Sequence, residues 1–421
     1  MRARRRERGV AALFVVAMLC FAMVLVAALA QRNVVVEDVR SANELRSRTA
    51  FAAAEAGLEW ALARVNDPAA IDATCLPSTD PAATSFRARM LTIDATSGSV
   101  SATTWNDPGA PVPLQAACVR AADGWRCACP RDGRPTLPVG GGAFAPAFFV
   151  EFSASVRPGV VRAIATGCTK ATVAAGCAAT NANGREAKAR IEVAWALLPA
   201  LRSPPVAALS AAGDVDFGGA VLAVANVERA SGGVALHAGG RVLASAVRIV
   251  APPGAPLGAS IVAGDEELRG LGSDRLFARH FGMAPLVWAA QPTARRVDCF
   301  GDCTRAIVAA LASGARQLFV DGDASIAGPA VLGSVDDPLV LVVTGSLAIA
   351  GDVAVHGVVH AGALAWRDGA AGAAFVRGAV VVAGDARGNA AADFVRDAAV
   401  LDRLANAVGS FVRVNGSWKD F

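Results

Sequence analysis

The stretch from Val10 to Ala30 carries no charged residue. An apolar run of about 20 residues, rising ~1.5 Å each as a helix, spans a bilayer's ~30 Å hydrocarbon core. The chain stays helix-prone beyond it. From Gln31 to Val65 the single glycine is Gly57, and no proline occurs until Pro68. Leu45, Thr49, Ala52 and Ala56 recur at spacings of four, three and four, and Leu58, Leu62 and Val65 continue a helical stripe. Glu44 precedes Arg48 by four residues, the favoured order for a helical ion pair. Asn66-Asp67-Pro68 stops the pattern. One helix from Val10 to about Asn66, about 85 Å long, is predicted.

The pattern then changes three times. Residues 69–143 are rich in Pro, Thr, Asp and Gly with little periodicity, and read as an irregular stretch. Partial alternation returns in Phe148–Val156, Val161–Cys168 and Lys188–Leu198, predicting three antiparallel strands separated by turn signals. Pro199 to Pro205 is a boundary. Beyond it, short Val/Ala/Leu runs are broken by Gly, Asp and Asn. Glycines at 345, 351, 357 and 362 fall every five or six residues. Near-hexad strand-and-turn repetition suggests a β-helix, each coil burying its apolar face on the next. Val376 to Gly384 adds a further coil. Helices are predicted at Ser273–Gly282, Cys303–Ala312 and near Ala391–Ala407. A β-sandwich is the alternative for this region. The fold class expected is α+β: a long N-terminal helix, a small antiparallel strand head, and a C-terminal β-helix-like (solenoid) domain with short helices. The divisions are 1–9, 10–66, 67–199 and 200–421.

Charge locates the N-terminus. Five arginines and one glutamate precede or flank Gly9, and the apolar run follows at once. The arginines hold the N-terminus in the cytoplasm, so residues after Gln31 lie across the membrane. Of 40 basic and 36 acidic side chains, removing those five and that one leaves 35 of each. The positive balance therefore belongs to the leader, and no Lys/Arg-rich block offers a nucleic-acid footprint. Three readings fit the segment. A cleaved secretory signal needs a shorter apolar core of roughly 7–15 residues. An uncleaved anchor needs nothing more. A class III signal is cut before the apolar stretch, here between Gly9 and Val10.

Arg6-Glu-Arg-Gly-Val-Ala-Ala-Leu-Phe14 resembles the leader junction of type IV pilins. It looks most like the PilX-type minor pilins and the K-type minor pseudopilins of type II secretion. Arg48-Thr-Ala-Phe-Ala-Ala-Ala-Glu-Ala-Gly-Leu-Glu59 is similar to the AFxAAEAGL stretch of PilX-type proteins. The specific match covers about the first 66 residues. Weaker likeness is seen in Ile164–Cys168, Ala189–Val193 and the closing Val412–Phe421. The resemblance implies a pilin with a methylated mature N-terminus, single-pass in the inner membrane with its head in the periplasm. Implied partners are prepilin peptidase, other minor pilins and the tip adhesin of a type IV pilus, with cell adhesion as the process served. Most pilins carry a glutamate at the fifth mature position, and here that position is Phe14. In the family that carboxylate meets the terminal amine of the neighbouring subunit. A subunit without it has no subunit ahead to satisfy, so the resemblance implies a tip position that initiates or caps pilus assembly.

Nine cysteines remain to be placed. Cys20 lies in the apolar run and reads as a buried small hydrophobe. The other eight, Cys75, Cys118, Cys127, Cys129, Cys168, Cys177, Cys299 and Cys303, are disulfide candidates in an oxidising compartment. Cys168 and Cys177 bracket a short loop of mostly small residues, and Cys299 and Cys303 lie one turn apart. The first four leave three pairings open. Zinc is the competing reading, but Cys127-x-Cys129 lacks the Cys-x₂-Cys spacing. No metal, cofactor or catalytic residue is expected. The chain has no nucleophile elbow, no phosphate-cradling glycine loop and no metalloprotease helix. His356 and His360 read as satisfied surface or turn residues. Asp214 and Asp216 read as turn formers. Two other functions remain in view: a membrane-anchored periplasmic adhesin or carbohydrate-active β-helix protein, and a tip pseudopilin of type II secretion.

Overall fold

In a computed structural model of the chain, residues 7–137, 145–172, 176–177 and 186–420 are described. Residues 1–6 of the expected leader, 1–9, lie outside them. Helix α1 runs unbroken over Glu7–Asn66. No residue from Val10 to Thr49 is buried, whereas Ala50, Ala53, Ala54, Leu58, Ala61 and Val65 are. The buried stripe matches the predicted one at Leu58 and Val65, with Leu62 packed beside them, and differs from it nearer the membrane half. Leu45 and Ala52 are exposed. An alanine-rich segment marks its own inner face poorly, and the sheet beneath selects the side with the smallest residues.

That sheet is antiparallel. Its order is Gly409–Arg413, Lys188–Pro199, Val160–Cys168, Ala147–Ala154, Gln115–Ala121 and Gly124–Ala128. The three predicted strands form its centre. Two findings differ from the sequence reading. Residues 69–143 are not irregular throughout. They supply Gln115–Ala121, Gly124–Ala128, two small hairpins and the short helix α2, Phe86–Met90. Gln115–Ala121 is buried at four successive positions, so it shows no alternation to read. The chain also returns to this sheet after 408. Gly409–Arg413 and Lys419–Asp420 both pair with Lys188–Pro199, so 200–421 is not one unit. Asn66 pins that return. Its side-chain amide donates to the Phe411 carbonyl at 2.9 Å, and its amide oxygen accepts from the Phe411 N–H at 2.8 Å.

Residues 207–396 build a second sheet in which every pairing is parallel among the described residues. Parallel pairing on this scale argues against the sandwich alternative, since sandwiches are built from antiparallel sheets. Three ladders surround one core. In the first, Leu318, Leu341, Val359, Val380, Leu209 and Leu236 are successive partners pointing inward. In the second, Ala324, Leu347, Leu364, Ala386 and Val215 do the same. The third stacks Leu332, Val355, Val376, Phe394 and Val224. Spatial order departs from chain order: residues 209–250 stack beyond 380–396.

At the corner between the first two ladders, glycines form a column. Amides of Gly345, Gly213 and Gly240 donate to carbonyls of Gly322, Gly384 and Gly213 at 2.9 Å. Aspartates sit beneath. The Asp323 carboxylate accepts from the Ser346 N–H at 2.7 Å, and that of Asp385 accepts from the Asp214 N–H at 2.8 Å. A Cβ on Gly345 or Gly213 would overlap the carboxylate of Asp323 or Asp385.

Helices cover the outer face of the first ladder. They are α4 (Ser273–Phe281), α5 (Pro285–Ala289) and α7 (Ala398–Asn406). Between α2 and α4 lies α3, Glu266–Gly270, and α6 is Thr304–Ala312. The predicted helix near Ala391–Ala407 begins only at Ala398. Asp393–Arg396 is a strand, because Phe394 completes the third ladder.

Candidate functional site

Two features of α1 decide what this chain can do. The first is exposure. Phe14 is 65% exposed and Phe21 68%, and the surrounding apolar side chains are open as well. The Val10–Asn66 helix is long and apolar enough to cross a membrane, and its most apolar window buries nothing in the chain itself. A contiguous apolar surface of this size requires lipid or other helices around it. Cys20 shares that exposure, contrary to the expectation of burial, because no other part of the chain reaches it.

The second is how closely α1 lies on the head. A Cβ on Gly167 would overlap the Ala50 carbonyl oxygen and the Ala54 amide, so only glycine lets the helix backbone touch the strand. Gly57 answers from the helix: a Cβ there would lie 2.9 Å from the Phe148 ring. The Phe51–Gly57 alanine stretch thus has a packing reason. Trp60 then closes on Phe86 and Phe148, with ring centroids 5.3 and 5.6 Å apart. Arg87 locks the helix end, donating to the Val65 carbonyl at 2.9 Å and the Gly409 carbonyl at 2.7 Å. Burial lowers the pKa of its guanidinium to about 10.

Gly9 and Val10, the expected cleavage pair, both lie within α1. All eight candidate cysteines are bonded. The pairs are Cys75–Cys129, Cys118–Cys127, Cys168–Cys177 and Cys299–Cys303, with Cα separations of 5.3, 4.0, 5.5 and 5.3 Å. This selects one of the three open pairings. Cys118 and Cys127 are register partners on adjacent strands. Arg89, buried, ties the other bond down by donating to the carbonyls of Asp72 at 2.6 Å and Cys129 at 2.7 Å.

No group of three or more His, Cys, Asp and Glu that could hold a metal occurs among the described residues. Asp216 serves a turn, its carboxylate accepting from the Gly218 N–H at 3.0 Å, whereas Asp214 accepts from the Arg241 N–H of the neighbouring strand at 2.8 Å rather than from its own turn. Asp265 caps α3 and meets His237 at 2.6 Å. His360 differs from expectation. It is not a surface residue but lies buried on the outer face of the first ladder, packed edge-on to Phe277 and Phe281. Its strand position alternates outward, and the helices Ser273–Phe281 and Pro285–Ala289, far earlier in the chain, cover it, which no local pattern announces.

No family model matches the chain, and no curated protein matches it. Among solved structures it is similar to the competence-associated pilin ComZ from Thermus thermophilus. The identity is 11%, over 89% of this chain and 97% of that one, with a TM-score of 0.23. A likeness at that TM-score carries no argument about this chain.

Proposed function

We propose that this chain is a minor-pilin-like structural subunit rather than an enzyme. It is inserted once in the inner membrane by α1, cut between Gly9 and Val10, and placed at the tip of a type IV pilus with its head in the periplasm before assembly. In this reading residues 207–396 form a β-solenoid that serves as a contact platform for other minor pilins or a tip adhesin. The observation that carries the proposal is the division of α1: an exposed apolar half continuous with a half pressed onto an antiparallel sheet through Gly167. The PilX-type resemblance of the leader junction and of Arg48–Glu59 supports it. Phe14 supports the tip position, since it leaves no buried carboxylate that needs a neighbour's amine.

Mass analysis of the protein's N-terminus in membranes tests processing. The expected chain starts at Val10 with a methylated amine. An intact Met1 or a cut near Ala30 refutes the pilin reading. Sheared filaments test position. The chain is expected there in trace amounts, with fewer filaments when its gene is deleted. Abundance comparable to the shaft subunit refutes the tip assignment.

A further inference from the structure

In the first ladder Leu209 and Leu236 point inward, so the residues after them, Ser210 and His237, face outward as register partners on adjacent parallel strands. Together with Arg279 and His280 of α4 they line a cavity of about 250 Å³, walled on its apolar side by Leu268 and Leu276. Both imidazoles are held at one nitrogen. Nε2 of His237 meets the Asp265 carboxylate at 2.6 Å, and Nδ1 of His280 lies 3.0 Å from the Ser203 carbonyl oxygen. A carboxylate and a carbonyl only accept, so in the neutral rings these nitrogens carry the protons. The opposite nitrogens, Nδ1 of His237 and Nε2 of His280, are then left as acceptors. Burial lowers the His280 pKa, which keeps that ring neutral at pH 7.

Neither acceptor has a partner among the described residues, and neither does the hydroxyl of Ser210, a residue only 5% exposed. None of the three atoms is sealed off from the cavity side, in contrast to both ring nitrogens of His360. Arg279 has no ion pair and no hydrogen bond among the described residues, and its charge is felt at His280, which puts its guanidinium beside the cavity. Four polar groups without partners, from two strands and one helix, thus converge on one space. Buried polar groups are paired in native folds, and a cluster of them left open requires a ligand or solvent to pair with. The two free nitrogens ask for a ligand that donates, and the guanidinium asks for one that carries negative charge. A bare anion offers nothing to the nitrogens, and a neutral polyol offers nothing to the charge.

We propose that this cavity binds a small polyhydroxylated carboxylic acid of the sugar-acid class. Its carboxylate pairs with Arg279, its hydroxyls donate to His237 and His280 and pair with Ser210, and its C–H face lies on Leu268 and Leu276. The site does not depend on the pilin reading.

Calorimetry of the full chain, in micelles of a detergent without a sugar headgroup, tests it with glucuronate, glucose and acetate as probes. Glucuronate is expected to bind about tenfold more tightly than glucose, the worth of one charge-assisted hydrogen bond. Acetate is expected to bind more weakly than glucuronate. Arg279→Gln should bring glucuronate down to the level of glucose and leave glucose unchanged. Ser210→Ala should weaken both sugars about fivefold, the worth of one hydrogen bond, and leave acetate unchanged. Absence of glucuronate binding, glucose or acetate binding as tightly as glucuronate, a preference for glucuronate that survives Arg279→Gln, or sugar binding untouched by Ser210→Ala overturns the proposal. Should Ser210→Ala not fold, the three probes on the unaltered chain and on Arg279→Gln decide.

Discussion

Lowering the pH from 7 to 4.5 should destabilise the parallel-sheet domain through His360. Burial depresses this imidazole from 6.5 to about 4, with the charge of His280 acting in the same direction. Asp274 and Asp321 line a cavity with it but do not raise it back. In the unfolded chain the ring takes up its proton near 6.5, so between 6.5 and about 4 the unfolded state binds more protons. Stability is therefore complete above 6.5 and falls as the pH drops through that window, flattening below about 4. At ~1.36 kcal/mol per pKa unit, the loss at pH 4.5 is roughly 2.5 kcal/mol. For a domain of about 200 residues that lowers Tm by roughly 5–10 °C. The native carboxylates whose pKa is lowered, Asp214, Asp265 and Asp302 among them, have an ordinary value of 3.8 and contribute mainly below this window. The assay is thermal melting of the full chain in detergent at both pH values, for the unaltered protein and for His360→Leu. The variant also removes an unpaired buried polar group, so at pH 7 it should be as stable or more so. Equal loss of Tm in both proteins between pH 7 and 4.5 would show that His360 is not the titrating group.

Three further outcomes are expected. Gly167→Ala should cost about 1–3 kcal/mol by forcing α1 away from the sheet, read as a fall in Tm; an unchanged melt would mean the helix does not lie on that strand. Asn66→Ala leaves both Phe411 backbone groups without their partner and should cost about 1–3 kcal/mol, which urea unfolding of the same preparation will measure. Disulfide losses should rank by loop length: Cys75→Ala, opening a separation of 54 residues, should cost about 4 kcal/mol, against about 2.7 kcal/mol for Cys168→Ala at a separation of 9, and the reverse order in their melting temperatures would reject the chain-entropy account.

The long helix was legible because its signals are local. An uncharged run, an uninterrupted helical stretch and Asn66-Asp67-Pro68 all lie within one segment. The three central head strands were legible because each alternates in part and turn signals separate them. The buried face of α1 was not, because Ala50, Ala53 and Ala54 look like Ala52 in sequence. Gly167, more than 100 residues away, decides which of them touches the strand. The return of Gly409–Arg413 to the head was equally hidden. Its partner strand precedes it by about 200 residues, and the contact that fixes it is the Asn66 amide.

The glycines of the parallel domain show the limit most clearly. Spacing of five or six residues over 345–362 suggested hexad coils. The stacked glycines are 322, 345, 362, 384, 213 and 240, on neighbouring parallel strands rather than a hexad apart, and the last two come from an earlier part of the chain. Gly351 and Gly357, which supplied the short period, do different work. Gly351 adopts a left-handed turn at φ +79°, and a Cβ on Gly357 would overlap the Leu339 backbone. Gly-Asp pairs recur at 213–214, 322–323 and 384–385, and each aspartate accepts an amide of the neighbouring parallel strand. A one-dimensional period reports strand stacking only when the strands stack in chain order. Here the chain lays down 209–262 first, crosses through helices α3 to α5, and winds back from 294 until Val380 meets Leu209. That crossing carries α4 and α5 over the outer row of the first ladder. The burial of His360 therefore follows from the permuted order of the parallel strands rather than from any residue near 360.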